Sequence, residues 1–71
     1  MTTKASPDFI ITDEGSRWGF RPWSEQAQLW FDDNVETEGW QWMGAVCWVD
    51  HRLAYQLYEG IVDAGFDVGG I

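Results

Sequence analysis

The chain has one cysteine, two prolines, one histidine and only four lysines and arginines among its 71 residues. A lone Cys47 excludes an internal disulfide, so packing must supply the stability that small chains often take from crosslinks. In an apolar stretch it reads as a small core residue of a reduced compartment. No run approaches the ~18 apolar residues that a membrane-spanning helix needs. The opening MTTKASPD lacks the apolar centre of a signal peptide. The chain is therefore expected in the cytoplasm, with no membrane partner. The scarcity of cations, against twelve carboxylates and a formal net charge of −8, disfavours direct contact with nucleic acid or anionic lipid and favours basic surfaces.

Aromatic residues are abundant instead. Six tryptophans and four phenylalanines can each bury roughly 150–250 Å², and acidic chains that stay disordered are poor in such residues. The most apolar stretch is WQWMGAVCWV, residues 40–49. With period two, Trp40, Trp42, Gly44, Val46 and Trp48 share one face, and Gln41, Met43, Ala45, Cys47 and Val49 the other. Apolar on both faces, it reads as one central strand.

The remaining elements follow from local signals. Residues 1–7 form a mobile polar lead-in to a single domain covering 1–71. Residues 9–12 and 17–21 make a hairpin around Asp13-Glu14-Gly15-Ser16, with Trp18 and Phe20 on one face. Pro22 ends that strand, and Ser24 caps a helix over 25–35. Ala27, Trp30, Phe31 and Val35 form its core stripe. Leu29 points outward among Glu25, Asp32 and Asp33. Asp50 caps a second helix over 51–64, closed by Gly65. Its core stripe is Leu53, Leu57, Gly60, Ile61 and Ala64, and its outer face carries Tyr55, Tyr58, Glu59 and Val62. Residues 66–68 are an edge strand, and Gly69-Gly70 frays. The expected fold is α+β: a small, mostly antiparallel sheet in ββαβαβ order with two helices packed on one face.

Chemistry is scarce. Cys47 and His51 are separated by a strand end and a helix cap, so they do not form a metal pair, and His51 reads as a first-turn polar residue. The run from Asp32 resembles a calcium loop only until Thr37 stands where glycine is required and Met43 where glutamate is. Ser16 and Ser24 sit in turn and cap contexts without a base, and the adjacent carboxylates have no enclosing pocket to lift a pKa. No glycine-rich phosphate loop precedes a helix. The expectation is a non-enzyme without cofactor or metal.

The acidic run DDNVETE, residues 32–38, carries Asp32, Asp33, Glu36 and Glu38 with no cation. Asp32 and Asp33 fall at a helix C-terminus, where each carboxylate costs on the order of 0.3–1 kcal/mol. One account is a solvated loop that aids solubility; the other is a docking surface for a cationic partner. Alternate residues of extended chain lie about 6.6 Å apart, close to the interval between nucleic-acid phosphates. Apolar anchors with acidic rims, Leu29 on the first helix and Tyr55 beside Glu59 on the second, have the composition of interfaces. The candidate partner-binding residues are Glu25, Leu29, Asp32, Asp33, Glu36, Glu38, Tyr55 and Glu59. The tryptophans allow another idea: Trp40, Trp42 and Trp48, with Trp18 and Phe20, could line an open sheet face.

The DDNVETE run and the net charge resemble the small acidic proteins of phages and mobile elements, the anti-CRISPR proteins in particular. The resemblance is one of type and carries no family motif. It implies an inhibitor in the host-cell cytoplasm, monomeric or homodimeric, that occupies a basic nucleic-acid-binding groove such as the target-recognition channel of a CRISPR surveillance complex. The alternatives are a phage accessory or assembly protein that self-associates through tryptophans, and a small glycan-binding module.

Overall fold

Strand β1 (Phe9–Asp13) pairs antiparallel with β2 (Arg17–Pro22), placing Ile11 opposite Phe20 and Asp13 opposite Trp18. Gly15 makes the connecting turn possible: its φ is 84°, a region costly for residues with a side chain, and its N–H donates to Asp13 Oδ1 at 2.8 Å. This is a computed structural model describing residues 7–70. Most of the expected lead-in, residues 1–6, lies outside the described residues.

Helix α1 (Glu25–Asn34) starts where expected, with Ser24 Oγ accepting the Ala27 N–H at 3.1 Å. It ends as the Val35 N–H reaches Phe31 O at 2.9 Å. Helix α2 (His51–Asp63) starts on Asp50, whose Oδ1 accepts the Arg52 N–H at 2.9 Å. Gly65, at φ 89°, turns the chain out of it. His51 is a first-turn residue whose N–H donates to Ser16 O at 3.1 Å, tying the helix to the first hairpin.

The stretch 40–49 is not one strand. A 3-10 turn, Gly39–Gln41, leads into β3 (Trp42–Met43), and the chain reverses at Gly44-Ala45 into β4 (Val46–Asp50). Gly44 takes φ 63° while Ala45 does not enter the positive region, which is the type II′ pattern of two-residue hairpins. The reversal shifts the parity of the faces. Trp42 pairs with Cys47, and Met43 with Val46, so Trp42 shares a side with Cys47 and Val49 instead of with Trp48. The element order is ββαββαβ, one strand more than the expected ββαβαβ.

Strand β5 (Val68–Gly69) lies parallel to β1, whereas all other pairs are antiparallel. The sheet order is β3-β4-β2-β1-β5. Gly69 therefore pairs with Ile10 and does not fray. The centre of the sheet is β2, with β4 beside it.

Both helices cover one face. That face carries Phe9, Ile11, Trp18, Phe20, Cys47 and Val49, all buried. α1 adds Ala27 and Phe31, and α2 adds Ala54 and Ile61. Phe31 packs edge-on to Trp42 at 5.8 Å, and Trp18 meets Tyr55 and Tyr58 at 5.1 and 6.2 Å. Each fully buried phenylalanine contributes roughly 1.5–3 kcal/mol by leaving water, so aromatic packing replaces the missing crosslink. Trp18, Phe20 and Trp42 thus lie under the helices and do not join Trp40 and Trp48 in an open row of indoles.

On the opposite face, Trp48 lies across β2 in the space left by its cross-strand partner Gly19. A Cβ on Gly19 would come within 3.0 Å of that indole and 2.9 Å of Val46 Cγ1. The Arg17 guanidinium stacks over Trp48 at 4.4 Å, and Arg21 over Trp23 at 4.3 Å. β4 is thus covered on one side by helices, and on the other its Trp48 is capped by Arg17 of the neighbouring strand.

Candidate functional site

The acidic run leaves α1 and is fastened to the second hairpin by side chains. The Trp42 indole N–H donates to Thr37 Oγ at 3.0 Å. Gln41 bridges two segments: its Oε1 accepts the Glu38 N–H at 2.8 Å and its Nε2 donates to Trp48 O at 3.2 Å. The Gln41 N–H returns to Glu38 O at 3.0 Å. These bonds run through Thr37, Gln41 and main chain; the Glu38 side chain joins them in a capping box with Gln41, and the acidic residues of the run stay exposed.

Glu25, Leu29, Asp32, Asp33, Glu36, Glu38, Tyr55 and Glu59 are all exposed. Among the described residues, ion pairs join Arg17 to Glu14, and Arg52 and His51 to Asp50. None reaches the carboxylates of α1 or of the run after it. Arg17 and Arg21 belong to the open sheet face, and Arg52 to the first turn of α2. Charge is thus segregated: α1 and its exit carry acids only, and the arginines gather elsewhere. Asp50, at the start of α2, is one acid that does sit beside a cation. Its hydrogen bonds from the Arg52 side chain and then its N–H hold the carboxyl below the usual carboxylate range.

The candidate residues do not form one contiguous cluster. At 100° per residue, Glu25, Leu29 and Asp32 share the outward side of α1, and Asp33 turns toward its flank. Asp32 also borders a small hollow with Pro22, Trp42 and Ala45, beside the second hairpin's turn. Glu36 stands at the mouth of a groove between the helices. Tyr55 and Glu59 lie on the side of α2 away from that groove, where Tyr55 leans on Trp18.

The groove is the feature that sequence patterning misses. Its volume is about 420 Å³; Trp30 and Val35 form one wall, Leu53 and Leu57 the other, and Val49 lies between them. Leu53, expected in the core, is 60% exposed; Ala54 is buried in its place. The expected stripe holds in part: Ile61 is buried and Leu57 packs against the core, whereas Leu53 and Ala64 are exposed and the buried face is turned toward Ala54. A further hollow, about 410 Å³, adjoins the groove through Gln41, Val49 and Leu53 and is lined by Trp40, Met43 and Trp48. Trp40 is 80% exposed there.

No protein family, curated protein or solved structure matches the chain. Function must be read from these surfaces. Among the described residues, no group of three His, Cys, Asp or Glu side chains is placed to hold a metal ion, and no helix is long and apolar enough to cross a membrane. Cys47 is fully buried, and burial pushes its thiol up to about 11, which leaves it protonated at neutral pH and unsuited to nucleophilic work.

Proposed function

We propose that this protein is a non-enzymatic inhibitor that occupies a basic nucleic-acid-binding surface of its target, presenting carboxylates where the target expects phosphates. The observation that carries this reading is the exposed set Asp32, Asp33, Glu36 and Glu38. None has a cation partner among the described residues, and their segment is fastened to the sheet through Thr37 and Gln41. Unneutralised carboxylates at a helix C-terminus oppose folding, whereas a cationic partner relieves them. Fastening lowers the ordering cost of binding. Leu29 and Tyr55 would act as apolar anchors, with Glu25 and Glu59 at their rims. In keeping with the anti-CRISPR-like character of the sequence, the leading partner is the target-DNA channel of a CRISPR surveillance complex.

The test is capture of such a complex by the immobilised chain at low and high salt, followed by elution with target DNA. Salt-sensitive capture that DNA reverses supports the proposal. Capture indifferent to salt and DNA, or none, overturns it.

The cluster of Trp40, Met43 and Leu53, at 80%, 63% and 60% exposure, favours one second reading: an accessory protein that self-associates through this end. Sedimentation at rising concentration separates the two, because a dimer held by these side chains persists in high salt and is lost in Trp40→Ser.

A further inference from the structure

The groove between α1 and α2 has a chemistry narrower than that of the acidic surface around it. Its walls are apolar: Trp30, Val35, Leu53 and Leu57. Its rim offers Glu36, Asn34 and Gln56 beside Thr37 and Gln41, and no lysine, arginine or histidine among the described residues lines it. The Asn34 Nδ2 is engaged with Trp30 O at 2.9 Å, which leaves the Asn34 Oδ1 as an acceptor on the groove that Glu36 also lines. A groove with an apolar body and acceptors at its mouth fits a group with an apolar stem and a donor-only cationic head.

Arginine fits better than lysine, for a reason the molecule itself supplies. Trp48 and Trp23 each carry one of the chain's own guanidinium groups, at 4.4 and 4.3 Å. Trp30 packs edge-on against Phe9 and Phe66, lines the groove, and has no such cover among the described residues. A planar guanidinium can meet both an indole and a carboxylate. The volume of about 420 Å³ suits one or two side chains.

We infer that this groove is the specificity pocket of the interface, receiving an arginine and an adjacent apolar side chain from the basic partner. The inference rests on the reading proposed above and names the anchor through which that surface would be recognised. The outward acids of α1 supply attraction at a distance; the groove selects the side chain that docks.

The probe is acetyl-Arg-Leu-amide, titrated at millimolar concentration into the isotope-labelled full chain and followed by amide and indole NMR. Its control is the same peptide with citrulline, which keeps the shape and removes the charge. Saturable shifts at Val35, Glu36, Leu53, Leu57 and the Trp30 indole are expected. Glu36→Gln should weaken binding by about three- to fivefold, the range of an exposed ion pair. Leu53→Ser, at a site too exposed to threaten folding, should weaken it separately. Shifts that spread over Asp32, Asp33 and Glu59 without saturating, or equal binding of the citrulline peptide, overturn the inference. If the groove stays empty while the chain still captures its basic target reversibly with DNA, the inference fails and the proposed function stands. If the peptide saturates the groove but no DNA-reversible target is captured, the function fails and the groove assignment stands.

Discussion

The Trp42 indole N–H donates to the Thr37 hydroxyl at 3.0 Å, joining the end of the acidic run to the first residue of β3. Trp42 is in turn packed on Phe31 of α1, so one indole contacts the helix that the run leaves and the segment that follows it. Replacing Thr37 by valine keeps the shape and removes the acceptor. The expected cost is about 0.5–1.5 kcal/mol in urea unfolding. Hydrogen exchange should quicken at residues 36–38 and remain unchanged in β1. A run equally protected in Thr37→Val would show that the bond does not hold it.

Gly19 is the second sensitive position. Its φ is ordinary, so its need for glycine is purely one of space, with the Trp48 ring 3.0 Å from an added Cβ. Gly19→Ala should push the indole off β2 and disturb the Arg17 stack, destabilising the protein by about 1–3 kcal/mol. Trp48→Val in the same background should recover part of that loss. The test is a double-mutant cycle in denaturant.

Ser24 serves two helix-start functions at once. Its Oγ accepts the Ala27 N–H, and its hydroxyl donates to the buried Asp8 carboxylate at 2.7 Å; Asp8 also accepts the Asp67 N–H at 3.0 Å. Ser24→Ala should therefore cost more than the ~1 kcal/mol of an ordinary cap, about 2–3 kcal/mol with the lost bond to a buried charge. Thermal unfolding of the variant measures it.

Cys47 gives a pH signature. Its folded pKa, about 11, stands above the ordinary 9.0, so the folded state favours the neutral thiol. Its contribution is constant below pH 9 and is lost as pH rises from 9 toward 11, where the unfolded chain ionises first. Thiol reagents should label Cys47 slowly at pH 7 in the folded protein and at once in denaturant. Cys47→Ala should remove this alkaline loss, at the cost of a small cavity.

Elements whose ends carry their own chemistry were legible in the sequence. Ser24, Asp50 and Gly65 mark helix ends by hydrogen bonding and positive φ, and each sits where that chemistry puts it. The stretch 40–49 patterns as one strand because Gly44 fits period two as readily as it fits a turn. A two-residue turn reverses parity, so one missed glycine moved Trp42 to the wrong side of the sheet. The apolar side of α2 is wide, running from Leu53 through Leu57 and Ile61 to Ala54, and only the position of the sheet decides between Leu53 and Ala54. The acids of the candidate site were legible because an uncompensated charge run is visible without a fold. The groove beside them was not, since Trp30, Val49 and Leu53 come together only through tertiary packing.

The most direct measurement of the central claim is competition at a purified CRISPR surveillance complex between labelled target DNA and the full chain, wild type against Asp33→Lys/Glu36→Lys. Both positions are exposed and outside the core, so the double variant should keep its fold, as circular dichroism can verify. The prediction is that the wild type displaces the DNA and the variant, with its charges reversed, is weaker by more than about tenfold. DNA binding untouched by the wild type, or displaced equally by both proteins, would contradict it.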